Sequence, residues 1–195
     1  MILSNLEIQK ALDDGRLVID PQPEPRRHEL GRSCPFDTHT VDLKLHNEIT
    51  VPNSDHPFAY DLTEPGSLSD LIAKHSKKYV LTDEQPYILT PRKFLLAMTY
   101  ERISLPIIKD QTSLAARIEG KSSRARCGVL VHFTAPTVHP GWDGRLTLEM
   151  INLGPTNFLL RPGMPIAQLI VEQVFGEISE NPSVFQNQST PEGLR

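Results

Sequence analysis

Proline is the feature that most limits what this chain can become. The 195-residue sequence contains 17 prolines, and from residue 86 onward Pro86, Pro91, Pro106, Pro136, Pro140, Pro155, Pro162 and Pro165 punctuate its apolar runs. Each removes a backbone N–H and fixes φ, which closes that region to long helices and leaves short strands joined by turns. The runs at 87–89, 94–99, 114–118, 128–134, 145–151, 157–160 and 166–172 read as those strands. Strands at this spacing, with no strand–helix alternation, predict a sandwich or barrel and argue against a doubly wound nucleotide fold.

The first half adds two accessory helices. Ser4 is a good N-cap, Glu7 completes a capping box, Ile8, Ala11 and Leu12 share one face, and Asp14-Gly15 ends the element. Residues 21–35, rich in proline and charge, read as loop. Residues 38–49 alternate Val41, Leu43 and Leu45 with polar partners and read as one half-buried strand. Residues 50–66 are polar and irregular. A second helix is expected over 68–78, with Ser67 as its cap and Leu68, Leu71 and Ile72 on one side. A single domain over 1–195 is expected, with 176–195 as a flexible C-terminal tail.

Composition excludes several classes. The net charge of −4 gives no global basis for binding nucleic acid, so an anionic ligand needs a local basic cluster. No apolar run is long enough to cross a membrane, and the opening residues lack the pattern of a secretory signal. Cys34 and Cys127 read as free thiols in a reducing, cytoplasmic setting. His28, His39, His46, His56 and His75 have no metal-ligand spacing, and His132, in an alternating strand, reads as structural.

Two segments carry candidate chemistry. In EGKSSRARCG (119–128), Lys121, Ser122, Ser123, Arg124 and Arg126 bring three cations and two hydroxyls together after a glycine. Such a turn suits phosphate oxygens, and equally describes a solvated, serine-capped turn. Downstream, VLVHFTA (129–135) and LTLEMIN (146–152) read as a β-hairpin around the turn at 138–144. Leu146, Leu148 and Met150 then lie on one face, with Thr147, Glu149 and Ile151 on the other. An acid between Leu148 and Met150 is either salt-bridged at a rim or held there to perform a function.

The order of these residues resembles the dCTP deaminase branch of the dUTPase superfamily. The carrying motifs are G-K-S-S-x-A-R-x-G, then V-H-x-T-A, then P-G-W-x-G-x-x-T-L-E, with further matches in YILTPRKFLLAMTYERISLP (87–106) and RPGMPIAQLIVE (161–172). The resemblance implies a mainly β, distorted β-barrel or jelly-roll fold of dUTPase-like type, assembled as a homotrimer with active sites between subunits. It implies hydrolytic deamination of dCTP to dUTP and ammonia. Glu149, Ser122, Arg126 and the backbone carbonyl of Ala135 would form the catalytic group. Lys121, Ser123 and Arg126 would meet the triphosphate. Thr147, Leu148 and Glu149 would lie along the cytosine edge, Gln168 would contact the nucleotide, and Trp142 would sit near the deoxyribose. Mg²⁺ would enter bound to the triphosphate. Zinc deaminases use H-x-E with P-C-x-x-C, and this sequence has no C-x-x-C.

The sequence also departs from that family. His139 stands where relatives carry an aspartate, which serves as the water-activating base in dUTPases and holds the sugar hydroxyl in deaminases. Pro136 replaces a histidine of one deaminase group, and Lys121 replaces an arginine, losing its fork. The tail is shorter and lacks a tyrosine and a lysine that close over the nucleotide, while Phe185 and Gln188 resemble the rest of that closing segment. Competing readings are a dUTPase, a bifunctional enzyme making dUMP, and a non-catalytic or altered-specificity nucleotide-binding relative.

Overall fold

The computed structural model describes residues 1–53 and 68–194. The N-terminal helix forms as the capping residues dictate: α1 spans Asn5–Asp13, the Ser4 hydroxyl accepts from the Glu7 amide at 3.3 Å, and Ile8 and Ala11 are buried. Gly15, at φ +71°, supplies the left-handed turn that ends it. A short β1 (Val18–Asp20) follows.

Residues 38–49 are not one strand, as the alternation predicts, but parts of two. β2 (Thr40–Lys44) and β3 (Glu48–Pro52) belong to different sheets, with the chain crossing between them at Leu45–Asn47. The inward residues Val41, Leu43 and Leu45 are fully buried as expected. The second helix, α2, covers Leu68–Lys74 and stops short of the expected end, because Ser76–Val80 pairs with β3 as strand β4. Its expected cap, Ser67, lies outside the described residues.

The remaining strands are β5 (Tyr87–Leu89), β6 (Phe94–Ser104) and β7 (Leu114–Gly120), then, after a third short helix α3 (Ser122–Ala125), β8 (Val129–Leu130), β9 (Thr137–Val138), β10 (Asp143–Asn152), β11 (Phe158–Leu160) and β12 (Pro165–Gln173). One sheet runs β4-β3-β6-β10-β8 with β1 also on β6, a second runs β2-β12-β7-β9, and β5 pairs with β11. The described pairings are antiparallel, and apolar side chains from both larger sheets enter one core, giving a mainly β, jelly-roll-like domain. Among the described residues no helix is long and apolar enough to cross a membrane.

The hairpin expected around 138–144 forms only at its open end, where β8 meets β10. β10 pairs along β6, from Asp143 opposite Ser104 to Ile151 opposite Phe94, and touches β8 only at Ile151 and Asn152. β9 instead pairs with β7 in the other sheet. Pro136 and Pro140 account for this, since each removes an N–H that a continuous hairpin ladder would need.

The β6–β10 ladder contains a bulge: β6 advances from Met98 to Arg102 while β10 advances only from Thr147 to Arg145. Thr99 fills the gap, its hydroxyl accepting from the Leu146 amide at 3.0 Å and donating to the Glu101 carbonyl at 2.8 Å. At the other end of β10, the Leu153 amide donates to the Gly128 carbonyl at 2.7 Å, which ties the exit of α3 to the strand. A β-carbon on Gly128 would strike the Gly154 backbone, and Gly128 has φ +87°. Only glycine fits both demands.

Candidate active site

β10 alternates strictly. Leu146, Leu148, Met150 and Asn152 are buried, while Asp143, Arg145, Thr147, Glu149 and Ile151 are half-buried on the opposite side. This parity places the Glu149 carboxyl in a cavity of about 630 Å³. Its walls include Ala135, Val138, His139 and Trp142 from the β8–β10 connection, Leu68 and Ile72 from α2, and Phe94 and Leu96 from β6. Trp142 is locked in place by its indole N–H, which donates to the Gly144 carbonyl at 3.2 Å.

Burial pushes the Glu149 carboxyl above the ordinary carboxylate range, and hydrogen bonds from its own N–H and from the Phe133 N–H, with attraction to His132, oppose that rise without cancelling it. A carboxyl held this way exchanges protons more readily near neutral pH than a solvated one. His132 is thus a neighbour of Glu149, which its place in an alternating run does not reveal. Its Nε2 lies 3.5 Å from Glu119, and its Nδ1 is buried without a hydrogen-bond partner among the described residues.

The C-terminal segment closes the remaining side. Ser183, Val184, Phe185, Gln188, Pro191, Glu192 and Gly193 line the same cavity. The Gln188 amide donates to the Arg145 carbonyl at 2.7 Å, the Thr147 hydroxyl to the Pro191 carbonyl at 3.3 Å, and Gln186 to the Gly141 carbonyl at 2.8 Å. The anchor is Glu192, whose side chain is fully buried: Thr50 Oγ1 donates to it at 2.6 Å and Lys78 lies 3.4 Å away. Burial disfavours its charge, but the Thr50 hydroxyl and its other donors outweigh that cost and hold its pKa below the ordinary value. Nothing in the tail's sequence signals this anchor, because its partners stand more than a hundred positions upstream.

The expected site residues do not all come together within one chain. Ala135, His139, Thr147, Glu149 and Gln188 share the cavity. Leu148 points into the core at 0% exposure, so only its backbone could meet a ligand. Lys121, Ser122, Ser123 and Arg126 are not among the residues lining it, and neither is Gln168. Lys121 and Gln168 instead border a second cleft of about 580 Å³, formed with α1 and the loop at 26–37. There Lys121 ion-pairs with Asp42, and the Gln168 amide donates at 3.2 Å to both Asp42 and Thr40. Ser122 and Ser123 are exposed on α3, and Arg126 is exposed at its C-terminal cap.

The fold recurs in a solved structure, that of 2'-deoxycytidine 5'-triphosphate deaminase from Agrobacterium tumefaciens. The two align with a TM-score of 0.60 and 18% identity over 87% of this chain, which spans about half (47%) of the other. The chain therefore shares the fold of that deaminase, in an open jelly-roll form. In sequence the chain is 34% identical over 181 residues to the dCTP deaminase of Rhodospirillum rubrum, covering 92% of this chain and 86% of the relative. It is also 34% identical to the "dCTP deaminase, dUMP-forming" of Methanosphaera stadtmanae, covering 88% and 78%. The family model for dCTP deaminase-like proteins matches residues 2–174, and the chain belongs to that family.

Proposed function

We propose that this protein deaminates dCTP to dUTP and ammonia, with Glu149 as the proton shuttle. The observation that carries this reading is the half-buried Glu149 carboxyl, raised in pKa by burial and opening into the cavity that Ala135 also lines. Hydrolytic deamination adds water to the ring carbon bearing the amine, then breaks that carbon–nitrogen bond. Glu149 takes a proton from the water as the new C–O bond forms and delivers it to the ring nitrogen. It then carries the proton of the new hydroxyl to the amine, which leaves as ammonia as the carbonyl forms. The Ala135 carbonyl and the Ser122 hydroxyl orient the water, and Arg126 stabilises the developing charge. Thr147 flanks the base, Gln188 closes above it, and His139 faces the sugar.

Glu149 and Ala135 line the cavity, whereas Ser122 on α3 and Arg126 at its C-terminal cap are exposed outside its lining. A homotrimer in which α3 of one copy completes the cavity of the next brings the two groups together. The substrate is the Mg²⁺ complex of dCTP, with the ion held by phosphate oxygens. A cytoplasmic setting accords with two cysteines left as free thiols.

Dephosphorylation to dUMP is the second reading, favoured by the dUMP-forming relative. A histidine at 139 argues against it, since an imidazole is a poorer mimic of a fixed anion than an aspartate is. The deciding assay incubates the purified protein and Mg²⁺ with dCTP, CTP, dCMP or dUTP, and measures ammonia, pyrophosphate and nucleotide products. Ammonia and dUTP from dCTP are expected. Pyrophosphate with dUMP supports the second reading, and a lack of both ammonia from any cytidine nucleotide and dUMP from dUTP refutes both.

A further inference from the structure

The base cavity is poorly furnished for a triphosphate. Its described lining contains no lysine or arginine, and two carboxylates, Glu149 and Glu192, face it. The described part of the closing segment, 176–194, adds none, and the segment's single cation is the terminal Arg195. A polyanion needs cations from elsewhere.

The second cleft has them. Arg26, Arg27, Arg32 and Lys121 border it against the carboxylates Asp37 and Asp42, and His28 adds an imidazole. Most of these charges are already engaged: Arg26 with Asp13 at 2.7 Å, Arg32 with Glu29 at 2.9 Å, and Lys121 with Asp42. Arg27 and His28 are exposed and have no hydrogen-bonded or ion-paired partner among the described residues. Their loop is nonetheless pinned on both sides. Gln9 of α1 donates to the Arg26 carbonyl at 2.8 Å, and the Cys34 thiol donates to the Pro25 carbonyl at 3.3 Å. Two unpaired donors thus stand on a fixed loop in the cleft that Lys121 and Gln168 also line.

We infer that Arg27 and His28 bind the terminal phosphates of the nucleotide and make this chain select triphosphates over monophosphates. The inference rests on the proposed deamination of dCTP, with Lys121 and Ser123 meeting the nearer phosphate oxygens. The loop at 26–32 adds cations to the cleft that Lys121 already borders.

The test is the double variant R27A/H28A, whose exposed positions should leave thermal unfolding unchanged. KM for Mg²⁺-dCTP should rise roughly 10–100-fold, the worth of one or two charge-assisted hydrogen bonds, with a much smaller change in kcat. KM for dCMP should move less than about threefold, since dCMP has no terminal phosphates to lose. Calorimetric titration with inorganic tripolyphosphate gives a readout independent of turnover, and its affinity should fall over the same roughly 10–100-fold range. An equal rise in KM for dCTP and dCMP, or an unchanged tripolyphosphate affinity, overturns the inference while leaving the deaminase reading intact. A wild-type protein that binds tripolyphosphate through these residues but releases no ammonia from dCTP overturns the deaminase reading instead.

Discussion

Glu149→Gln and Arg126→Ala should each be inactive alone and partly active together. Glu149 lines the cavity, whereas Arg126 is exposed at the C-terminal cap of α3, outside that lining. If a cavity is completed by the neighbouring copy, a working site needs Glu149 from one chain and Arg126 from the next. In trimers assembled at random from equal amounts of the two variants, each site draws its halves independently. About one quarter of sites then combine two intact halves, and turnover should recover to about 25% of wild type. The parents set the background: loss of the proton shuttle costs roughly 10²–10⁴ in rate, and loss of a preorganised charge stabiliser roughly 10²–10³. The signal therefore stands more than tenfold above either parent. Hybrids are made by co-expression with two different tags, their composition is confirmed by native mass spectrometry, and ammonia release is followed with dCTP. Verified hybrids no more active than the parents would mean that both residues serve the same chain's site, and the intersubunit arrangement would fall.

Other outcomes follow from individual residues. Because burial raises the pKa of Glu149 on folding, the stability linked to it is complete in acid and lost as pH rises through the folded pKa. Glu149→Gln should therefore melt higher than wild type at pH 8, with the gap closing near about pH 4, the ordinary glutamate value; an equal gap at both pH values would refute this. The acid limb of kcat/KM should lie above the ordinary glutamate value in wild type, which a pH–rate profile measures. Glu192→Ala removes the anchor of the closing segment, so amide exchange at Asn187 and Gln188 should accelerate roughly tenfold or more, one buried charged hydrogen bond being worth about 1.5–3 kcal/mol. In wild type the same protection should fade as pH drops through the lowered pKa of Glu192. His139→Asp restores an anionic acceptor at the cavity and should improve discrimination of dCTP over CTP by roughly 1.5–3 kcal/mol; an unchanged ratio of the two kcat/KM values would place residue 139 away from the sugar.

The sequence exposed what depends on local spacing. The Ser4 cap, the face of Ile8 and Ala11, and the parity of β10 that aims Glu149 away from Leu148 and Met150 all follow from near neighbours. Pairing partners did not follow. An alternating run looks the same whether it meets β6 or β8, so the hairpin expected at 138–144 pairs only at its open end while the chain between crosses to the other sheet. The break at Leu45–Asn47 was hidden for a similar reason, because Leu45 keeps the alternation while the chain changes sheet. Motifs named the members of the candidate site, but their division between a cavity and an exposed helix is a matter of tertiary placement. The contacts of Glu192 with Thr50 and Lys78 join segments too distant in sequence for any pattern to connect.

The bulge where Thr99 bridges β6 to β10 has an evolutionary consequence. Along a strand, direction is a binary quantity, and each residue gained or lost reverses it for everything beyond. Here β6 runs two residues ahead of β10, an even surplus that leaves the parity of the ladder intact. Lineages could add or remove residues at this point only in pairs and keep a glutamate turned toward the ligand. A single-residue insertion between Arg145 and Thr147 would instead bury the carboxylate in the core and present a methionine or leucine to the substrate. Length variation in this ladder should accordingly be quantised in steps of two wherever the chemistry survives.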